Sequence, residues 1–232
     1  MIIQQSIYNN TRETGNLQKA TLPVVEAFYS LQGEGFYQGK AAYFIRLGGC
    51  DVGCFWCDVK ESWTASAHPQ KTVEQIIEEA KEKISQQPTV NNQRSTVNSQ
   101  PIFVITGGEP LMHNLDALTL QLQNENLKTH IETSGSSSLS GYWDWICLSP
   151  KKFKKPLPEV FTAANELKII IYNKSDFKWA EENARQVSSA CKLYLQPEWS
   201  RADSITPSII NYIQANPAWQ LSLQIHKYLN VR

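Results

Sequence analysis

The chain has no excess of charge of either sign: 22 lysines and arginines balance 22 aspartates and glutamates over 232 residues. With no long basic run either, that balance excludes a general electrostatic grip on nucleic acid or on an anionic membrane surface. Long hydrophobic runs are also missing. No stretch reaches the roughly 18 apolar residues of a membrane span, and the apolar part of the opening MIIQQSIYNNTRETGNLQKATLP is too short for a secretory leader. A cytoplasmic protein is expected. Cysteine is scarce and odd in number, at five, and three of the five fall within eight residues. Such a distribution argues against a disulfide framework and for a metal site in a reducing compartment.

What is present is enough apolar material to fold. A hydrophobic fraction of 41% with 7 Trp, 9 Tyr and 8 Phe can close a sizeable core, so global disorder is excluded. One domain over 1–232 is expected at this length, with an N-terminal extension over 1–23. Residues 85–100, SQQPTVNNQRSTVNSQ, have no periodicity and are rich in Gln, Asn, Ser and Thr, so they are assigned to a polar surface insertion.

Short runs of β-branched and aromatic residues predict strands near 24–29, 42–47, 102–106, 128–133, 144–149, 166–171, 192–196 and 219–224. Helical spacing is clearest at 72–84, where Val73, Ile76, Ile77, Ala80 and Ile84 share a face and Thr72 with Gln75 offers a capping box. Further helices fit 115–124, 175–187 and 207–215, the last with Thr206 as N-cap and Pro207 at the first helical position. Strands alternating with helices give an α/β fold with a largely parallel sheet. The helices are too few for a closed eightfold barrel, and a partial barrel fits better.

The densest chemistry lies in GGCDVGCFWCD, where Cys50, Cys54 and Cys57 form C-x3-C-x2-C directly after a predicted strand. A structural zinc site wants four ligands, and ferredoxins supply four cysteines per cluster at other spacings. Three thiolates would leave one iron of a four-iron cluster open to an exogenous ligand. This pattern resembles the radical S-adenosylmethionine (SAM) superfamily, and Thr106-Gly107-Gly108-Glu109-Pro110 after a second strand resembles the segment that receives the SAM amine there.

A finer resemblance begins with LQGEG at 31–35 ahead of AYFIRLGGC. It continues through TGGEP, ETSG at 132–135, LSPK at 148–151, ELK at 166–168, LQP at 195–197 and LSLQIHK at 221–227. Over residues 24–232 the chain is similar to the 7-carboxy-7-deazaguanine synthases of deazapurine and queuosine-precursor biosynthesis. That resemblance implies an incomplete TIM-like barrel of the radical SAM type, with about six core parallel strands and reduced helices. It implies a [4Fe-4S] cluster on Cys50, Cys54 and Cys57, and SAM at Gly107, Gly108, Glu109, Ser149, Pro150, Lys151 and Gln196. A pterin is implied at Leu31, Gln32, Gly33, Glu34, Arg46 and Thr106. The chemistry agrees: glycines admit backbone to an ammonium, Gln reads an amide-amidine edge, and Arg grips a carboxylate. The bland alternatives are a hairpin turn for Gln32 and Glu34, a solvated strand charge for Arg46, and a solvated basic loop for Lys151.

The implied reaction is hydrogen abstraction at C6 of 6-carboxy-5,6,7,8-tetrahydropterin, ring contraction and loss of ammonia, with SAM regenerated. An external one-electron donor, a flavodoxin or ferredoxin, and a homodimer are implied too. The family often carries Thr or Ser two residues after the last cluster cysteine to help hold magnesium, whereas this chain has Val59. Magnesium is therefore left to Asp58, water and substrate, or the metal requirement is weaker. A glycyl-radical activase and a zinc-binding module are the competing readings. His68, His113, His130 and His226 are too far apart for ligand spacing and are expected to be mostly structural. Cys147 and Cys191 read as buried small hydrophobes. Phe55, Trp56 and Trp63 either shield the cysteine loop or pack in the core.

Overall fold

A computed structural model describes residues 20–87 and 100–232. Strand β1 (Thr21–Leu31) pairs antiparallel with β2 (Ala41–Leu47), and the short β3 (Gln70–Thr72) adds to the outer side of β1. The remaining strands are β4 (Ile102–Gly107), β5 (Thr129–Thr133), β6 (Trp145–Leu148), β7 (Glu166–Ile171), β8 (Lys192–Pro197) and β9 (Trp219–Leu221). From β2 onward every neighbouring pair is parallel, in the order β3-β1-β2-β4-β5-β6-β7-β8-β9. The sheet is one open, incomplete barrel. Its parallel part has six strands of four residues or more, the number the family resemblance implies, and the three-residue β9 as a seventh.

Helices α1 (Val73–Ser85), α2 (Asp116–Asn124), α3 (Pro158–Ala163), α4 (Asp176–Ala184) and α5 (Ala202–Ala215) serve the crossovers, and α6 (Ile225–Leu229) follows the last strand. The capping box of α1 forms as predicted: Gln75 N donates to Thr72 Oγ1 at 3.2 Å, and Thr72 N donates to Gln75 Oε1 at 2.9 Å. Thr206 and Pro207, by contrast, lie inside α5 and do not start it. A preceding 3-10 turn at Trp199–Arg201, in which Ser200 N donates to Glu198 Oε1, launches the helix earlier. Thr206 instead donates its hydroxyl to Ala202 O. The strand predicted at 219–224 stops at Leu221, and the following residues turn into α6. Both α3 and α6 escape sequence patterning, being too short for a 3.6-residue period to show. The polar insertion and the extension fall largely on residues 88–99 and 1–19, outside the described residues.

Period-two alternation divides each strand between two environments. Tyr43, Ile45 and Leu47 of β2, Phe103 and Ile105 of β4, Ile131 of β5, and Leu167, Ile169 and Ile171 of β7 join the main hydrophobic cluster with α1 to α5. Leu118 and Leu122 of α2 pack into the same cluster and are fully buried, each contributing about 1.5–3 kcal/mol through burial. The alternate residues face the concave side. Arg46, Thr106, Glu132, Lys168, Ile170 and Gln196 all line a single cavity there.

At the opposite end of the concave face, His130 packs edge-on to Tyr37 with ring centroids 4.5 Å apart, near Trp145. Burial holds its imidazole down at about 4, against an ordinary 6.5. Between those values the unfolded chain takes up a proton that the folded chain refuses, so stability falls as pH drops from 6.5 to about 4. In urea titrations across this window, His130→Phe should lose less stability than the unaltered protein; equal losses would place the acid sensitivity elsewhere.

Candidate active site

Parallel strands deliver their carboxyl ends to one rim, and the cavity of about 490 Å³ opens there. Two loops from adjacent strands form one wall. The register sets Arg46 beside Thr106 and Leu47 beside Gly107, so the cysteine loop leaving β2 and the TGGEP loop leaving β4 start side by side. They are then bonded to each other: Gly108 N donates to Leu47 O at 2.9 Å and Glu109 N to Gly49 O at 2.8 Å. The approach is so close that a Cβ on Gly108 would sit 2.3 Å from Gly49 O, which leaves room for glycine alone.

The cysteine loop is fixed from its other side by Gly49 N donating to Ser62 O and Cys50 N donating to Trp63 O. Cys54 is buried, Cys50 and Cys57 are half-buried, none is in a disulfide, and all three line the cavity. The Trp63 indole N–H points at Cys57 Sγ, 3.4 Å away. Burial pushes the Cys50 and Cys54 thiols up, and the Lys151 charge pulls Cys54 back. Among the described residues no three His, Cys, Asp or Glu side chains are gathered closely enough to hold one metal ion.

Most of the residues singled out in the sequence meet at this cavity: Leu31, Gln32, Gly33, Glu34, Arg46, Thr106, Gly107, Gly108, Ser149, Lys151 and Gln196 all line it. Glu109 and Pro150 do not. The Glu109 carboxylate is 1% exposed and fully engaged, accepting from Thr133 Oγ1 at 2.5 Å, Ser134 N at 2.7 Å, Leu111 N at 3.1 Å and the Ser134 hydroxyl. It ties the TGGEP loop to the end of β5 from behind the cavity wall. Pro150 is buried beside Ser149.

The polar lining is ordered by its own bonds. Gln32 Nε2 donates to Glu132 Oε1 at 2.9 Å, and Glu34 N donates to Gln32 Oε1 at 3.1 Å. Arg46 is half-buried and held through Nε by Glu26 at 3.0 Å, so it is not a freely solvated charge. Lys151 donates to Ser149 Oγ at 2.7 Å, and its burial lowers its proton affinity. Gln196 accepts from Ser222 at 2.7 Å. Phe55 is 58% exposed and touches Phe153 and Tyr172, so it covers the cysteine loop from outside the core.

Glu132, Lys168, Gln224 and Lys227 line the cavity without having been singled out in the sequence, and His226, grouped there with the mostly structural histidines, lines it too. One signal was available, a lone charge inside an otherwise apolar strand, as with Lys168 in ELKIII. His68 and His113 instead contact the backbone carbonyls of Glu61 and Gly48 through Nε2 at 2.8 and 2.7 Å.

No family model matches the chain. It is 50% identical over 210 residues to a 7-carboxy-7-deazaguanine synthase of Flavobacterium psychrophilum, covering 90% of this chain and 92% of that protein. The chain belongs to the 7-carboxy-7-deazaguanine synthase family. Other members of that family include proteins of a Synechocystis species, 47% identical with 93% and 96% covered, and of Escherichia coli, 33% identical with 90% and 98% covered. The crystal structure of QueE from Escherichia coli superposes with a TM-score of 0.76 at 28% identity, over 92% of this chain and 99% of that one. A 7-carboxy-7-deazaguanine synthase fold thus accounts for the incomplete radical SAM barrel seen here.

Replacing Glu109 by Gln turns an amide NH2 toward donors that need an acceptor, which should cost about 2–3 kcal/mol. A melting-temperature drop together with poorer cluster retention after reconstitution is expected; an unchanged protein on both counts would show that the loop does not depend on this carboxylate.

Proposed function

We propose that this chain is a radical SAM lyase that converts 6-carboxy-5,6,7,8-tetrahydropterin to 7-carboxy-7-deazaguanine with release of ammonia, in 7-deazapurine biosynthesis. The observation that carries the reading is the convergence of three free thiols, a glycine-lined loop and a polar slot on one cavity at the carboxyl rim of the sheet. A slot of this size suits a small bicyclic substrate beside a nucleoside cofactor, and the family membership names the reaction class.

The residues fit a [4Fe-4S] cluster and SAM. Cys50, Cys54 and Cys57 would supply three soft ligands and leave one iron without a protein ligand, and Gly107 and Gly108, which line the cavity, would offer backbone to the amine of SAM. Gly107 and Gly108 would meet that amine, with Glu109 bracing them from behind. Ser149, Pro150 and Lys151 would form the carboxylate side and Gln196 the adenosine side. When bound and reduced, this pair supplies a hydrogen-abstracting radical; the protein's own task is positioning and exclusion of water. Leu31, Gln32 and Gly33 would border the pterin with Glu34 and Thr106, and Arg46, aligned by Glu26, would grip its carboxylate with the fork geometry of a guanidinium.

Beside the cysteine loop Val59 has no side-chain oxygen, so magnesium would fall to Asp58, which lines the cavity and pairs with Lys227 at 3.0 Å through one oxygen, together with water and substrate. A flavodoxin or ferredoxin as electron donor, a homodimer, a single domain over 1–232 and a cytoplasmic location complete the proposal. Among the described residues no helix is long and apolar enough to cross a membrane.

Anaerobically reconstituted protein given dithionite, SAM and the tetrahydropterin should form 7-carboxy-7-deazaguanine without consuming stoichiometric SAM, and comparison with and without magnesium reads out whether Asp58 serves that ion. SAM cleavage with the pterin left intact would overturn the substrate, and failure to assemble any iron-sulfur cluster would overturn the reading of the three cysteines.

A further inference from the structure

Four segments of the chain meet at the floor of the cavity around one ammonium group. Lys168 of β7 is 3% exposed; its Nζ donates to a Glu34 carboxylate oxygen and lies 3.6 Å from Glu132 Oε2 on β5. Gln32 bonds the other oxygen of Glu132, and Gln224 Nε2 bonds Glu34 Oε1 at 2.9 Å. The other titratable groups near this ammonium are Cys147 on β6, Glu166 on β7 itself, Lys151 after β6, and His226 on α6, which faces Glu34. Glu166 is turned away to other partners, Phe36 N at 3.2 Å and the Trp145 indole at 3.1 Å.

Packing does not call for a cation here. Buried ion pairs recover little or none of their desolvation cost, and Ile170, two residues along the same face of β7, shows that an apolar side chain suits the strand. The arrangement has an electrostatic consequence instead. Two half-buried carboxylates facing each other without a counter-charge would repel and turn apart. With Lys168 between them, Glu34 stays ionised, its carboxyl held down at about 2 by that ammonium against the opposing effect of burial, and the ammonium is itself held charged. The floor therefore offers fixed oxygen acceptors. Glu132, the more open of the two carboxylates, lines the cavity.

Acceptors of this kind complement the N–H groups at N3 and the 2-amino position of a 2-amino-4-oxopyrimidine ring, which a carboxylate can receive in pairs. We propose that Lys168 is a positioning residue that sets specificity for this edge, by holding the Glu34 and Glu132 side chains in place as two oriented oxygen acceptors. The inference rests on the pterin reading above and assigns the group that makes that end of the slot selective.

Calorimetric binding to the reconstituted, SAM-loaded protein tests it, with 7-carboxy-7-deazaguanine and its 2-deamino analogue as probes. The unaltered protein should prefer the 2-amino compound by about tenfold or more, as befits hydrogen bonds to a charged acceptor. Lys168→Met should bind both probes alike while keeping its iron content, and Lys168→Arg should restore part of the preference. If Lys168→Met does not fold, Lys168→Gln, which keeps a hydrogen-bond donor toward Glu34 but not the charge, is measured in its place and should lose most of the preference. Retention of the preference by the Met variant would overturn the role of Lys168 alone. Absence of any binding by the unaltered protein would overturn the pterin reading, and the inference with it.

Discussion

Everything at the site depends on the parallel register of β2 and β4. Because Leu47 lies beside Gly107, two loops that are distant in sequence leave the sheet side by side. The bonds Gly108 N to Leu47 O and Glu109 N to Gly49 O then hold them together. A one-residue slip would turn Arg46 and Thr106 from the cavity to the helix-packed face and part the thiols from the glycines. The hydrophobic cluster enforces the register, since Tyr43, Ile45, Phe103 and Ile105 bury completely only in this pairing. Core packing thus determines where the thiols stand.

The concave face pays no such debt to hydrophobicity. Its charges are admitted because each finds a partner: Arg46 with Glu26, Lys168 with Glu34 and Glu132, Asp58 with Lys227. Polar groups taken from water need such partners to avoid a penalty of a few kcal/mol each. The same pairing keeps the side chains in fixed places, so the slot is shaped before any ligand arrives and less freedom remains to be lost on binding.

Much of this was legible in the sequence. Eight of the nine strands and the four longer helices follow from apolar periodicity, the polar three-residue β3 escaping it, and C-x3-C-x2-C with TGGEP located one wall of the cavity, because such motifs put their chemistry in consecutive residues. What escaped was chemistry spread one residue per strand. Lys168, Glu132 and His226 acquire meaning only when the barrel brings them together, and in sequence Lys168 is a single charge within ELKIII. Glu109 was legible as important but not as buried: its four donors come from its own loop and from the end of β5, contacts that no local pattern encodes. The start of α5 was misplaced because Pro207 is a common first helical residue, whereas here the preceding turn at Trp199–Arg201 had already set the helix going.

An incomplete barrel has two free edges, and an unpaired strand edge invites pairing with another chain and, from there, aggregation. Both edges here are blunted. β9 is three residues long, too short to template an added strand. At the opposite side β3 covers only Thr21–Pro23 of β1, and along the rest of that strand Lys83 reaches across to take the carbonyl of Ala27. A cationic side chain on an edge carbonyl removes an acceptor and sets a charge where a second strand would have to lie. The openness that gives small ligands their way in is thus protected against the wrong guest, another polypeptide.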